Sequence, residues 1–283
     1  MTDISTVQNI GRCRRFLTSC VVAVAAPVLA INSAQAVAVD SEVLLLVDVS
    51  RGLSNSDFSL MTQGIADSFR SSTVLDSIQS GSEGSVAIAL VFWSGNNKQQ
   101  TGVAWANISD SVSAEAFATS VEKATRPWDN SKTALGDAIR DTTAYFGTET
   151  GGTANGFESA VQIVNMIGGS EDNNTPTGSS REAAVVAARD QSLVSGVDII
   201  NAIAVTQDDP GIASYYDDFV VGGAIGTTQG TTTTAANYSS LATSFTPILA
   251  STLSIAAATT VPEPAASLLL TTSFGLLLFR RRH

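Results

Sequence analysis

Val43-Leu44-Leu45-Leu46-Val47-Asp48-Val49-Ser50 decides how this chain is read. Five apolar residues in a row lack the alternation of a half-exposed strand. Such a run suits a strand covered on both faces, as in a parallel sheet sandwiched between helices. The strand ends on a carboxylate and a hydroxyl, which is where open α/β sheets place their ligands. Just beyond it, Ser54-Asn55-Ser56-Asp57 has the pattern of a helix N-terminal capping box. Phe58, Met61, Ile65 and Phe69 then recur at helical spacing as one apolar stripe.

The alternation continues outward. Val86–Trp93 is a second continuous apolar run, followed by turn residues Ser94-Gly95-Asn96-Asn97. Gln100 to Ala106 is expected to return as an antiparallel edge strand. Helices are expected at about 114–124, 134–145 and 181–195, with strands at 161–167 and 197–205. Residues 215–221 read as a short helical turn and a last strand. The Thr-rich stretch 227–234 reads as a low-complexity loop, and 238–253 as a final amphipathic helix. The expected fold is α/β: a doubly wound, mostly parallel open sheet with one antiparallel edge strand.

Both ends of the chain differ from this body. Arg12, Arg14 and Arg15 precede an apolar stretch from Phe16 to Ile31, and Ala34-Gln35-Ala36 forms a small-x-small site. These are the parts of a secretory signal peptide over residues 1–36, with cleavage expected after Ala36 or, alternatively, Ala38. At the other end Pro262-Glu263-Pro264 leads into an apolar run from Ala265 to Phe279, then Arg280-Arg281-Arg282. Fifteen residues of helix span roughly 22 Å, short for a bilayer core of about 30 Å. The arginines would remain on the cytoplasmic side. Residues 254–260, small and polar, read as a linker between body and tail. The body is therefore expected to occupy 37–253.

Composition excludes more than it names. The signal peptide holds three Arg and one Asp, the tail three Arg and one Glu, leaving 9 basic and 24 acidic residues between them. That charge repels nucleic acid and anionic membrane surfaces. Both cysteines, Cys13 and Cys20, fall in the signal peptide, so the body has no disulfide. The single histidine, His283, lies in the tail, so neither a His-based catalytic triad nor His-ligated zinc is open to the body. The Gly-Gly pairs at 151–152, 168–169 and 222–223 have no phosphate-loop Lys in register. Glu171-Asp172-Asn173-Asn174 lacks the Gly and Glu positions of an EF-hand loop and reads as a solvated turn. Asp208-Asp209 and Asp217-Asp218 read as turn and surface charge.

Two resemblances give these segments a context. The tail resembles the PEP-CTERM sorting signal of Gram-negative bacteria, which implies processing by an exosortase at Pro262-Glu263-Pro264 and transient anchoring through residues 265–279. A plain C-terminal anchor is the alternative. Asp48-Val49-Ser50-Arg51-Gly52 follows the opening of the Asp-x-Ser-x-Ser metal-ion-dependent adhesion site, and Lys132-Thr133-Ala134-Leu135-Gly136 and Asn165-Met166-Ile167-Gly168-Gly169 supply two further loops. Together they resemble a von Willebrand factor A domain. The ordered set Asp48–Ser50, Trp93–Gly95, Thr133–Gly136, Tyr215-Tyr216 and Gly222-Gly223 is similar to the DUF1194 branch of that superfamily.

The resemblance implies a worn cation site of Asp48, Ser50 and Thr133, with Asn165 as a neutral outer contributor, binding Mg2+ or Ca2+. Gly52 lacks the third hydroxyl, and Asn165 stands where a second carboxylate is expected. Alternatively, Asp48 and Ser50 only cap the neighbouring helix and tie down loops. The expected function is an exported, envelope- or matrix-associated binding or adhesion module, not an enzyme, with an unknown envelope protein or polysaccharide as ligand. The other possibility is a structural matrix component without a discrete ligand site.

Overall fold

A computed structural model describes residues 36–129, 131–174 and 180–258. The segments read as signal peptide (to residue 35) and sorting tail, with Pro262, Glu263, Pro264 and Arg280–Arg282, lie outside the described residues. Ala36, the residue expected to precede the cleaved bond, is described, and Ala34 is not.

The described elements, in chain order, begin with β1 (Val37–Ala38), β2 (Ser41–Asp48), α1 (Asn55–Arg70), α2 (Ser72–Gln79), β3 (Val86–Trp93), β4 (Gln99–Ile108) and α3 (Ser111–Lys123). They continue with α4 (Leu135–Arg140), β5 (Phe157–Glu158), β6 (Gln162–Gly168), α5 (Arg181–Val194), β7 (Ile199–Val205) and α6 (Ile212–Phe219). The last are β8 (Gly222–Ile225), β9 (Thr228–Gln229), β10 (Thr232–Ala235) and α7 (Leu241–Ala257).

The main sheet has the order β4-β3-β2-β6-β7-β8-β9, with β10 also on β7. β3, β2, β6 and β7 run parallel, and β4 returns antiparallel at one edge. The continuous apolar runs behave as expected: every residue of β2, β3, β6 and β7 is buried. Alternate residues feed two cores. Val43, Leu45 and Val47 of β2 pack with Met61 and Ile65 of α1, Phe117 of α3 and Phe245 of α7. Leu44 and Leu46 pack with Leu135 and Ile139 of α4, Val185 of α5 and Tyr216 of α6. Each fully buried aliphatic side chain contributes about 1.5–3 kcal/mol relative to exposure.

The local signals also hold. Ser54 caps α1, its hydroxyl oxygen accepting from the Asp57 amide at 3.1 Å, and the Asp57 carboxylate accepts from the Ser54 hydroxyl at 2.6 Å. Asn97 in the β3–β4 turn takes φ 55°, as an Asn can. Four boundaries differ from expectation. Residues 215–221 are the end of α6 and a turn, and the strand expected there, β8, starts at Gly222 and is followed by two more. The 134–145 helix is only six residues of α-helix, Leu135–Arg140, before it tightens into a 3-10 turn. The Thr-rich stretch is not a loop: Thr232–Ala235 forms β10, parallel to Ala202–Val205. β-branched threonine favours extended backbone, and the outer edge of β7 was open there because antiparallel β8 takes only Ile199 and Ile200. The last helix runs on to Ala257, through the first residues of the segment read as linker.

Among the described residues one helical stretch, Tyr238–Ala257, is long and apolar enough to cross a membrane. Leu241, Phe245, Leu249 and Leu253 of this stretch are buried in the core against α1 and α2, so it is a core helix here.

Strand order reverses at β2: β3 lies on one side and β6 on the other. The C-terminal ends of β2 and β6 therefore open the crevice in which doubly wound sheets hold ligands.

Candidate functional site

Asp48 is the last residue of β2, level with Trp93 at the end of β3. The chain turns sharply after it, and Asp48 Oδ1 accepts from the Ser50 amide at 2.8 Å. The loop is clamped from α3's side of the molecule. Arg126 donates to the carbonyls of Val49 (3.1 Å), Ser50 (2.8 Å) and Leu53 (2.7 Å). Three carbonyls converging on one guanidinium fix the path from β2 to α1. The loop before α4 is stitched alongside: the Arg51 amide donates to Ser131 O at 2.7 Å and the Ala134 amide to Ser94 O at 2.8 Å. That brings Thr133 in, and its hydroxyl donates to Ser50 Oγ at 3.1 Å.

Asp48, Ser50 and Thr133 are thus one contiguous oxygen cluster, each residue 5% exposed or less. Burial pushes the Asp48 carboxyl up to about 6, against the hydrogen bonds from Ser50 and the charge of Arg126. A carboxylate in that state is short of positive charge. Burial, and then the Asp48 charge, likewise raise the Tyr216 hydroxyl well above its ordinary value. Such a set offers a hard cation one carboxylate and two hydroxyls. Among the described residues no three His, Cys, Asp or Glu side chains gather as metal ligands.

Asn165 does not join the cluster, which corrects the expectation from sequence. It sits in mid-strand, paired with Leu45 and Asn201, and shares the sheet face of Ile163 and Ile167 rather than that of Asp48. There its Oδ1 accepts from Asn201 Nδ2 at 3.2 Å, and Asn201 Nδ2 also approaches Thr252 Oγ1 at 3.4 Å, tying α7 to the sheet. The position that follows Asp48's level on β6 is Gly168, because Val47 pairs with Ile167. A Cβ at Gly168 would stand 2.9 Å from Asp48 Cβ and 3.0 Å from the Tyr216 hydroxyl. No second carboxylate has room at that position. Tyr216 fills the space, donating to Ser170 O at 3.2 Å and accepting from the Ser170 amide at 3.3 Å.

Three residues of the loop after β6 were missed as parts of the site. Asn173 brackets Thr133: its Oδ1 accepts from the Thr133 amide at 3.0 Å, and its own amide donates to Thr133 O at 2.9 Å. Asp172 is buried, not solvated; its Oδ2 accepts from the Gly136 amide at 3.0 Å. It thereby caps α4 from another loop, since Ala134 has no side chain to do so. Ser170 stands beside the missing hydroxyl: a Cβ at Gly52 would meet only its Oγ, at 3.8 Å. The one local sign of these roles was Asp-Asn-Asn, side chains that bond nearby backbone. Asp208 is exposed and Asp209 Oδ1 accepts from the Gly211 amide at 2.8 Å, a turn as expected.

A family model described as a protein of unknown function, DUF1194, matches residues 38–239, most of the chain and all of this constellation. The chain belongs to the DUF1194 family. Solved structures place this DUF1194 domain among von Willebrand factor A-like, Rossmann-like folds. Proximal thread matrix protein 1 from the mussel byssus is similar with a TM-score of 0.51 at 14% identity, over 79% of this chain and 49% of that one. The same mussel protein with a zinc-occupied MIDAS motif is similar with a TM-score of 0.51 at 14% identity, over 76% and 48%. A D319A mutant of the PilB minor pilin from Streptococcus sanguinis is similar with a TM-score of 0.51 at 12% identity, over 81% and 64%. The DUF1194 chain spans about half the length of the mussel protein. No curated protein matches its sequence.

Proposed function

We propose that this DUF1194 protein is an exported, non-catalytic binding module whose strand-end cluster holds a divalent cation for adhesion. The observation that carries this is the convergence of Asp48, Ser50 and Thr133 at the reversal of strand order, with a buried carboxylate lacking a full counter-charge. Mg2+ or Ca2+ takes oxygen ligands of this kind, with water and an acidic group on the partner completing the shell. Asn165 is not part of that set. Gly168 leaves the cradle with one protein charge and Gly52 with one hydroxyl fewer, so the cation would favour an incoming carboxylate from an envelope protein or an acidic polysaccharide. The mussel protein's zinc-occupied motif supports the use of such a site in this fold.

The terminal motifs support the route. Residues 1–36 would be removed on export. Residues 261–283 would hold the protein in the membrane through 265–279 until an exosortase cleaves near Pro262-Glu263-Pro264, releasing it to the envelope or matrix. Mass spectrometry of the protein recovered from the envelope should find a chain that starts at Val37 and lacks Arg280–Arg282. Recovery from the cytosol with both ends intact contradicts export.

Binding is tested by mixing the full-length protein with envelope proteins and exopolysaccharide from cells that make it. Retention in Mg2+ and release by a chelator are expected; absence of retention with and without Mg2+ contradicts a binding role. A purely structural matrix component is the second reading, favoured by the missing oxygens at Gly52 and Gly168. It predicts assembly into the matrix that persists without Mg2+.

A further inference from the structure

Ser170 follows the Gly168-Gly169 pair with which the chain leaves β6. The pair passes through a narrow space. A Cβ at Gly168 would stand 2.9 Å from Asp48 Cβ, and one at Gly169 would stand 2.8 Å from Val205 O at the end of β7. The chain thus runs between the ends of β2 and β7 and delivers Ser170 to the rim that holds Asp48. Its backbone is fixed there. The Tyr216 hydroxyl accepts from the Ser170 amide at 3.3 Å and donates to Ser170 O at 3.2 Å. Tyr216 is itself fully buried in the core, so this post is rigid.

The Ser170 side chain has no such task. The residue is half-buried, and among the described residues only its backbone forms hydrogen bonds. The hydroxyls of Ser50 and Thr133, by contrast, bond to each other. Ser170 Oγ faces the loop after β2 at Gly52. Apart from the residues flanking that glycine, it is the one heavy atom within 4 Å of a Cβ added there, at 3.8 Å. Gly52 is exposed and does not take a positive φ, so a side chain fits at this position. It is also the position at which the first loop lacks its third hydroxyl. The oxygen of a serine there would lie one bond beyond that Cβ. Ser170 Oγ therefore stands in the neighbourhood of the missing oxygen, but comes from the facing loop.

We propose that Ser170 supplies the hydroxyl ligand that Gly52 lacks, so that the cation is held by Asp48, Ser50, Thr133 and Ser170. The inference rests on the cation reading of the strand-end cluster and adds to it the loop after β6. A hard cation needs oxygens in number and accepts neutral ones, whichever loop carries them. The added oxygen is uncharged, so the cradle keeps the single protein charge of Asp48 and its preference for an incoming carboxylate. The same loop already braces the segment before α4 through Asp172 and Asn173. A bound cation would then join all three loops of the rim.

The test is calorimetric titration with Mg2+ of the full-length protein in mild detergent, of Ser170→Ala, and of Ser170→Ala carrying Gly52→Ser. Ser170→Ala should weaken Mg2+ about tenfold by removing one oxygen ligand. Gly52→Ser should restore most of that loss by returning the hydroxyl from the first loop. Thermal unfolding in a chelator should give Ser170→Ala the Tm of the natural protein, because its hydroxyl bonds to nothing, while Mg2+ should raise Tm less in the variant. Saturable binding that Ser170→Ala leaves unchanged overturns the role of Ser170 and leaves the cluster of Asp48, Ser50 and Thr133 standing. A loss that Gly52→Ser does not repair assigns Ser170 to loop structure and overturns it as well. A flat titration of the natural protein overturns the cation reading itself, and Ser170 with it.

Discussion

Stability should fall as pH rises from about 4 to about 7 when divalent cations are absent. Most folded proteins do the reverse over this range, because paired carboxylates must be protonated on acidification. Here burial raises Glu42 from 4.5 to about 7 and Asp48 from 3.8 to about 6. In this window the unfolded chain has released protons that the folded chain still holds, so raising the pH draws the equilibrium toward unfolding. Below both ordinary values the effect is absent; above pH 7 it is complete. At about 1.4 kcal/mol per tenfold change in proton affinity, each group withdraws roughly 3 kcal/mol by neutral pH. Asp198, raised by burial, acts in the same direction. Asp110, Glu115 and Glu122 are lowered by hydrogen bonds from Ser113 and Arg70, but they are exposed and solvent-screened, so their opposing effect is small. Urea unfolding at pH 4.5 and 7.5 in a chelator measures the difference. A midpoint that stays level or climbs with pH would show that these carboxylates are not buried as described.

Asp48→Asn should make the protein more stable and poorer at holding a cation at the strand ends. Asparagine keeps the oxygen that accepts from the Ser50 amide. It removes a buried charge on which the positive charge of Arg126 acts, a guanidinium already committed to three carbonyls. At pH 7 the gain should be about 2 kcal/mol in a chelator, shown by a higher urea midpoint. Mg2+ affinity should drop at least about a hundredfold, because the only carboxylate of the cluster is gone. Opposite changes in stability and binding are the signature of a functional group kept at a cost. Loss of stability with unchanged Mg2+ affinity would instead assign Asp48 to loop capping alone.

The fold was legible because burial on both faces leaves a plain mark. Val43–Val47 and Val86–Trp93 could not be half-exposed strands, and their helices showed apolar stripes such as Phe58, Met61, Ile65 and Phe69. What stayed hidden depends on pairing between distant segments. β10 forms because β7 has an open edge at Ala202–Val205, which threonine composition does not reveal. Asp48, Ser50 and Thr133 came together because the end of β2, the loop after it and the loop before α4 meet at the same rim. Asn165 was misplaced by register: it lies three residues before the end of β6, on the other face, while Gly168 sits beside Asp48. Asp172 and Asn173 looked like a solvated turn because their partners, Gly136 and Thr133, are 36 and 40 residues away.

The most direct measurement is calorimetric titration of the full-length protein with Mg2+, repeated on Thr133→Ala. Thr133 contributes a hydroxyl to the cluster and carries no charge, so its loss spares the electrostatics of Asp48. A saturable site in the natural protein that disappears in Thr133→Ala is the predicted result. A flat titration of the natural protein, or one that Thr133→Ala leaves untouched, would contradict a cation cradle built from Asp48, Ser50 and Thr133.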